Sequence, residues 1–284
     1  MSVHMSKLLN ALSKPHKSLI PIFLIGIMFA SSTIALAAEN KKVLPSYVFS
    51  PAENPLMQAK TALSKAKAEN KYALIVLGAQ WCHDSVTLAE RFSNEEMQPV
   101  LSDTFVTQFI DVGYLEDRRD ITTLVGYPHY FATPTVLIVN PTSNEIMNID
   151  SLKVWQSADS VELQEYVERF SSFNTNEADI KPAQTNDSPA LASFEIQQSE
   201  RLQQGYEILG PLLAVSDSEM SSSMSGDERE RFLKLWREVK QFRMTIQATI
   251  HELRSANLVE AELQKKLIEA TPEAQSWEAI SDQH

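Results

Sequence analysis

The sequence has 284 residues but only one cysteine and seven glycines. One cysteine cannot form an intramolecular disulfide, and it cannot supply a structural zinc site that needs two or four cysteines. So few glycines argue against glycine-rich phosphate-binding loops and favour long helices over turn-dense all-β folds. Basic residues are also scarce, since 25 Lys and Arg face 37 Asp and Glu. The net charge of −12 argues against broad binding of nucleic acid through its phosphates.

The first residues have the pattern of a secretory signal peptide. Lysines without acids precede the apolar stretch 19–29, and Ala35-Leu36-Ala37 supplies an A-x-A cleavage site. We expect residues 1–37 to be removed and the mature protein to be periplasmic or secreted; an uncleaved N-terminal anchor is the alternative. No later stretch approaches the ~20 apolar residues of a membrane span, so no stable span is expected after cleavage.

Residues 45–172 have the pattern of an α/β domain. Amphipathic helices alternate with apolar runs of strand length at 72–77, 105–110 and 135–139. This order predicts a mixed sheet with helices on both faces. Ser93 and Glu96 form a capping-box signature for a short helix between the first two strands.

The rest of the chain has a different pattern. Residues 173–190 are polar and predict a linker, residues 191–270 predict helices, and residues 271–284 are expected to form a tail. A capping box at Ser225 and Glu228 precedes an apolar heptad repeat, formed by Phe232, Val239, Ile246 and Leu253. The repeat predicts a helical hairpin or a short coiled coil, which could also bind a helical partner or a second copy of the chain. Trp236 widens the apolar stripe and favours packing within the chain.

Cys82 follows a predicted buried strand and lies at the first turn of a predicted helix. Unpaired N–H groups there favour a thiolate, as would a protonated His83, whereas Asp84 opposes it. A lone cysteine is more often a buried apolar residue than a nucleophile, but this position favours a reactive thiol. Three consecutive residues cannot all point inward from one helical turn, so no metal is expected at Cys82, His83 and Asp84.

The segment from Tyr47 to Phe170 resembles the thioredoxin superfamily. The resemblance rests on the strand that leads into Trp81-Cys82-His83-Asp84-Ser85, on Phe109-Ile110-Asp111, and on Thr133-Pro134-Thr135 before another strand. It implies a thioredoxin-like mixed sheet and an oxidoreductase site at Cys82. It also implies a cis proline at Pro134, which presents a backbone edge to an extended client. The Trp-Cys-His-Asp-Ser motif is similar to that of exported bacterial thioredoxin-like proteins, a subgroup to which the resemblance assigns no reaction.

Two departures from dithiol thioredoxins affect the expected function. Ser85 replaces the second cysteine and cannot attack a mixed disulfide, and Val76 replaces the buried acid that accepts a proton. The segment 113–119 resembles an insertion, either a client or partner surface or a solvated loop. His129 lies near the expected cis proline and could approach Cys82, but a histidine without a catalytic role is the preferred interpretation.

The leading hypothesis is a periplasmic monothiol protein in thiol-disulfide exchange. Cys82 would be the nucleophile, an external thiol would resolve the adduct, and Ser85 would at most donate a hydrogen bond to the Cys82 sulfur. Clients would be proteins or small thiols and disulfides, and no cofactor is expected. The expected substrate-binding residues are Trp81, His83, Asp84, Thr133 and Pro134.

Two other hypotheses remain at this point. The chain could be a redox-inactive module that uses the thioredoxin fold to hold a peptide or partner. Loss of the resolving cysteine together with the buried acid is what decay of redox activity would produce. Alternatively, Cys82 could join two chains in a covalent dimer.

Overall fold

The structure is a computed structural model. It describes residues 45–127, 129–173, 188–218, 222 and 224–281. The expected signal peptide and most of the expected linker lie outside these residues. Within the described ranges, no helix is long and apolar enough to cross a membrane.

A mixed sheet forms the centre of the first domain, with the strand order β2-β1-β3-β4. Strand β1, Tyr72–Gly78, pairs parallel with β2, Phe105–Asp111, and antiparallel with β3, Thr135–Asn140. The short strand β4, Glu145–Ile146, pairs antiparallel with β3. The mixed sheet predicted from the apolar runs is confirmed, and β1 lies inside it, as a continuous apolar run requires.

Helices cover both faces of this sheet because both faces are apolar. The side chains of β1 point alternately into two cores, one with Ala73 and Ile75 and the other with Leu74 and Val76. Each core needs a helical layer to exclude water. The helices are α1 (Pro55–Glu69), α2 (His83–Phe92), α3 (Met97–Thr104), α4 (Arg119–Thr123) and α5 (Leu163–Ser171), with 3₁₀ segments at Ile149–Ser151 and Val154–Ser160.

The predicted capping box at Ser93 and Glu96 is wrong. The Ser93 hydroxyl donates to the Ala89 carbonyl at 2.8 Å and accepts from the Tyr47 N–H at 2.9 Å. Helix α3 begins at Met97, and Glu96 makes no side-chain capping hydrogen bond. Ser93 is therefore engaged with a segment 46 residues away, a contact that local spacing cannot predict.

The described chain beyond residue 187 is helical. Its elements are α6 (Pro189–Asp217), α7 (Gly226–Ser255), α8 (Glu260–Ala270) and α9 (Glu278–Ser281). Helix α6 begins within the expected linker. Helices α6 and α7 are antiparallel, because Glu195 near the start of α6 binds Arg254 at the end of α7, while Gly205 lies against Val239.

The helical region folds back onto the α/β domain. The capping box of Ser225 and Glu228 is present at the start of α7. The heptad residues of α7 are 9% exposed or less, and they share one core with side chains of α1 and β1. Trp277, in the expected tail, is fully buried and contacts Phe242 edge to face. The apolar stripe of α7 is thus covered by its own chain.

Candidate functional site

Cys82 lies in the turn between β1 and α2. Its N–H donates to the Ala79 carbonyl at 3.2 Å, and its carbonyl accepts from the Val86 N–H at 3.0 Å, so it caps the N-terminus of α2. The residue is partly exposed and its thiol forms no disulfide. The thiol donates to the Thr133 carbonyl oxygen, which lies 3.5 Å from the sulfur. The fold thus brings Cys82 against a segment 51 residues further along the chain.

This second segment is the loop that enters β3. The Thr133–Pro134 peptide bond is cis, as the resemblance implied. Thr133 is 5% exposed, and the Thr135 hydroxyl donates to the Ala132 carbonyl at 2.6 Å. These contacts hold the loop at the start of β3 and place Thr133 and Pro134 beside the thiol.

Trp81 connects the site to the segment 113–119. Its indole N–H donates to the Gly113 carbonyl at 2.7 Å. Gly113 has a φ of +56°, in the left-handed region that favours glycine. The Trp81 ring meets Trp236 of α7 edge to face, with centroids 6.3 Å apart. The segment 113–119 is therefore anchored at the site, and Trp236 is a neighbour that the heptad pattern did not reveal.

Ser85 is fully buried, and its hydroxyl has no hydrogen-bond partner. The expected hydrogen bond from Ser85 to the Cys82 sulfur is therefore not formed. The Ser85 oxygen instead faces Gly78 at the end of β1, where an added Cβ would lie 2.7 Å from it. Val76 is also fully buried. Position 85 therefore lacks the second thiol of a dithiol site, and position 76 lacks its buried carboxylate.

His83 and Asp84 lie on the rim of the site beside Asp159. The His83 side chain is 78% exposed, and its Nδ1 lies 3.5 Å from the Asp159 carboxylate. The Asp84 carboxylate accepts from the Asp159 N–H at 3.2 Å. Burial raises the pKa of Asp84, and the neighbouring Asp159 carboxylate adds to the rise. Asp159 comes from a 3₁₀ segment without a motif, so no sequence pattern pointed to it.

Comparison with known proteins shows what this domain is similar to. Residues 54–141, less than half of the chain, match the family model described as thioredoxin-like. Among solved structures, a disulphide isomerase from Xylella fastidiosa Temecula1 is 24% identical, over 44% of this chain and 96% of that chain, with a TM-score of 0.40. None of the curated proteins matches the sequence.

The helical region covers the cis-proline loop of the thioredoxin-like domain. The Tyr206 hydroxyl of α6 donates to the Phe131 carbonyl at 2.5 Å, and the Tyr206 ring lies 6.0 Å from that of Tyr130. Phe131 and Tyr130 are 3% and 2% exposed. Gly210 approaches the Tyr114 carbonyl so closely that a Cβ there would overlap the oxygen. Helix α6 therefore packs on both segments that border Cys82.

Two buried tyrosines, Tyr130 and Tyr206, have raised pKa values. The charges of Arg118 and Arg243 act to lower the pKa of Tyr130, and Arg243 acts in the same direction on Tyr206. Burial raises the pKa of both tyrosines, the nearby Cys82 adds to the rise, and Arg243 opposes it. The Tyr130 hydroxyl and the Nε atoms of both arginines are buried without hydrogen-bond partners. The motifs of the sequence revealed none of these four side chains.

His129 belongs to a buried bridge between the two regions. Its Nε2 lies 2.6 Å from the Glu195 carboxylate of α6, and the other carboxylate oxygen accepts from Arg254 of α7. His129 and Glu195 are 2% and 4% exposed. The ring thus has a structural partner, in keeping with the interpretation of a histidine without a catalytic role.

Proposed function

We propose that the thioredoxin-like domain exchanges thiols and disulfides through Cys82 alone. The observation that carries this proposal is the contact between the partly exposed Cys82 thiol and the carbonyl that precedes the cis proline Pro134. Trp81 shields one side of the sulfur, while His83 and Asp84 border the approach of a client.

The exchange takes place in two displacements. First, the Cys82 thiolate attacks one sulfur of a client disulfide, whose S–S bond breaks as the mixed disulfide forms. The other client sulfur leaves as a thiolate and takes a proton from water. Second, an external thiol loses its proton and attacks the mixed disulfide, which releases the Cys82 thiolate and leaves a new client disulfide. The protein is unchanged after both steps, which suits isomerisation or removal of a small-thiol adduct.

The external thiol is a required co-reactant in this scheme. Cys82 is the only cysteine of the chain, and the buried Ser85 hydroxyl cannot displace a sulfur. We infer further that exchange takes place in the periplasm or outside the cell. The support is the N-terminal signal pattern, and fractionation of cells expressing the tagged full chain tests it.

A redox-inactive binding module is the second candidate function. The burial of Val76 and the unpartnered Ser85 hydroxyl favour it, because neither position keeps the groups of a dithiol site. In this case the fold would hold a partner without using the Cys82 thiol.

Mass spectrometry of the full chain after incubation with disulfides separates these functions. We expect wild type to form a reducible adduct at Cys82, a second thiol to remove it, and Cys82→Ala to form none. If wild type forms no adduct and Cys82→Ala retains the same partners in a pull-down, the binding module is correct. A reducible dimer on a non-reducing gel, with no client adduct, would instead show that Cys82 joins two chains.

A further inference from the structure

A groove of about 470 Å³ lies between helix α6 and the segment 113–119, where Gly210 approaches the Tyr114 carbonyl. This volume is within the range of roughly 300–1,000 Å³ that is typical of ligand sites. Residues 114–117 form one wall, and α6 supplies the other. The Trp81 indole donates to the Gly113 carbonyl, so the first wall is attached to the turn that carries Cys82. We call this cavity the α6 groove.

The charged side chains that line the α6 groove are all acidic, namely Glu116, Asp117 and Glu207. Arg118 pairs with Glu116 at 2.5 Å. Arg119 pairs with Asp117 at 2.6 Å and acts on the exposed Glu207 only at longer range. One carboxylate is therefore in excess over the two arginines, in a chain whose net charge is −12. Both the local and the overall charge attract a cation to this groove.

A buried amide of α6 lines the same groove. Gln203 is 4% exposed, and its side chain has no hydrogen-bond partner among the residues that the structure describes. Buried polar side chains are normally satisfied, and an amide offers one oxygen acceptor and two N–H donors. Because Gln203 lies four residues before Glu207, the two side chains share one face of the helix. The amide oxygen is thus an acceptor held ready beside the carboxylate in excess.

Pro211 adds a main-chain acceptor to this face of α6. It lies inside the helix and has no N–H, so the Glu207 carbonyl four residues earlier lacks its usual helical donor. Both residues line the groove. Several oxygen acceptors beside an unneutralised carboxylate suit a cation that donates several hydrogen bonds, and a guanidinium carries five N–H donors in a fixed fork.

We propose that the α6 groove binds an arginine side chain on an extended segment of a partner protein. The guanidinium donates to the Glu207 carboxylate and to the Gln203 amide oxygen, while the aliphatic part of the arginine covers apolar groove residues such as Leu115 and Ala214. The groove is larger than one side chain, so it also takes the neighbouring residues of the segment. This inference goes beyond the proposed exchange, because the binding does not use the Cys82 thiol.

The test compares two capped, sulfur-free peptides, Gly-Ala-X-Ala-Gly, in which X is arginine or its uncharged isostere citrulline. Each carries an uncharged fluorophore, and fluorescence anisotropy measures its binding to the full chain. We expect the arginine peptide to bind about tenfold more tightly, which corresponds to one hydrogen bond to a charged group. Glu207→Gln should remove most of this preference. Glu230→Gln, which makes the same change in net charge at an exposed position of α7, should keep it.

Gln203→Leu tests the amide separately. It leaves the charge of the groove unchanged and removes the oxygen that accepts from the guanidinium. We expect the arginine peptide to bind about threefold more weakly, the size of one ordinary hydrogen bond, and the citrulline peptide to change less. If Gln203→Leu does not fold, Glu207→Gln decides alone, because its side chain is exposed.

Three outcomes would overturn the inference: no binding of either peptide, equal binding of the two, or a preference that Glu207→Gln and Glu230→Gln change to the same extent. Acetyl-arginine amide serves as a small cation, and binding as tight as that of the arginine peptide would contradict a polypeptide partner. None of these results bears on the proposed exchange, because the peptides contain no sulfur. Absence of adducts at Cys82 would likewise reject the exchange and leave this binding site in place.

Discussion

The thioredoxin-like domain and the helical region contribute to the same site through different kinds of sequence signal. In the domain, Cys82 follows a buried strand and Pro134 precedes another strand, so short motifs mark both residues. In the helical region, Tyr206 and Trp236 lie within long helices whose repeats indicate only packing. The difference shows that short motifs can mark Cys82 and Pro134, whereas residues that pack around their segments can come from a region without any motif.

The buried contacts of Glu195 with His129 and Arg254 join the two regions. Removing them is the strongest test of whether the two regions unfold as one cooperative unit. In Glu195→Ala, His129 and Arg254 lose a partner that is 4% exposed, and we expect the free energy of unfolding to fall by about 3 kcal/mol. Urea denaturation followed by circular dichroism and by tryptophan fluorescence measures this loss, and both signals should shift together.

Glu269→Ala is the matched control, because Glu269 pairs with Lys265 on the exposed surface of α8. Its effect should stay within about 0.5 kcal/mol. An equal loss of unfolding free energy in both variants would contradict the expectation that the two regions unfold as one cooperative unit. A circular dichroism signal that shifts without the fluorescence would contradict it as well.

The contact of Tyr206 with the cis-proline loop should have a smaller effect. Tyr206→Phe leaves the buried Phe131 carbonyl without its donor, so we expect a loss of about 1 kcal/mol and faster labelling of Cys82 by a bulky maleimide. Tyr114→Phe is the control, since Tyr114 is 36% exposed and its hydroxyl donates to Asp217 near the surface. Unchanged labelling in Tyr206→Phe would show that the contact of α6 with the cis-proline loop does not restrict access to the thiol.

We expect that removing the Ser85 hydroxyl does not slow the reaction of the Cys82 thiol. Because its buried hydroxyl has no partner, Ser85→Ala should leave stability unchanged or raise it by up to about 1 kcal/mol, with the rate of adduct formation at Cys82 unaltered. Thr135→Val is the comparison, because the Thr135 hydroxyl donates to Ala132 at 2.6 Å and its loss should destabilise the fold. A slower reaction in Ser85→Ala would show that the Ser85 hydroxyl does hydrogen-bond the Cys82 sulfur.

The smallest expected effect is the pH dependence of Asp84. Its pKa is raised in the folded protein, so the folded state binds the proton more tightly than the unfolded chain does. Its contribution to stability therefore falls as pH rises from the usual carboxyl range through the raised pKa. Asp84→Asn should gain stability relative to wild type across that window and keep the gain above it. Asp120→Asn, at an exposed position, is the control; a gain that instead appears as pH falls would contradict the assigned direction.

Much of the α/β fold was predictable because its signals are local. The apolar runs gave the interior strands, and the turn after β1 together with Thr133 and Pro134 located the thiol and its counterpart. The surroundings of the thiol were not predictable. The Tyr206 contact with Phe131 spans 75 residues, and the Trp81 contact with Trp236 joins the thioredoxin-like domain to helix α7.

Periodicity explains both the success and the failure in the helical region. It shows which face of a helix is apolar, but it does not show what that face contacts. Trp277 illustrates this limit, because nothing around it in the sequence suggests that it is fully buried against α6 and α7. Asp159 shows the same limit for a polar residue, because it lies far from Asp84 in the sequence and only the fold brings the two together.

The most direct test of the central claim is thiol trapping in intact cells that express the full chain, with wild type and Cys82→Ala side by side. Alkylation at the moment of lysis preserves mixed disulfides, and mass spectrometry identifies what is bound to Cys82. We expect adducts on wild type that a reductant removes and that Cys82→Ala lacks. A wild-type Cys82 recovered only as free, alkylated thiol, with the same partners retained by both proteins, would contradict it.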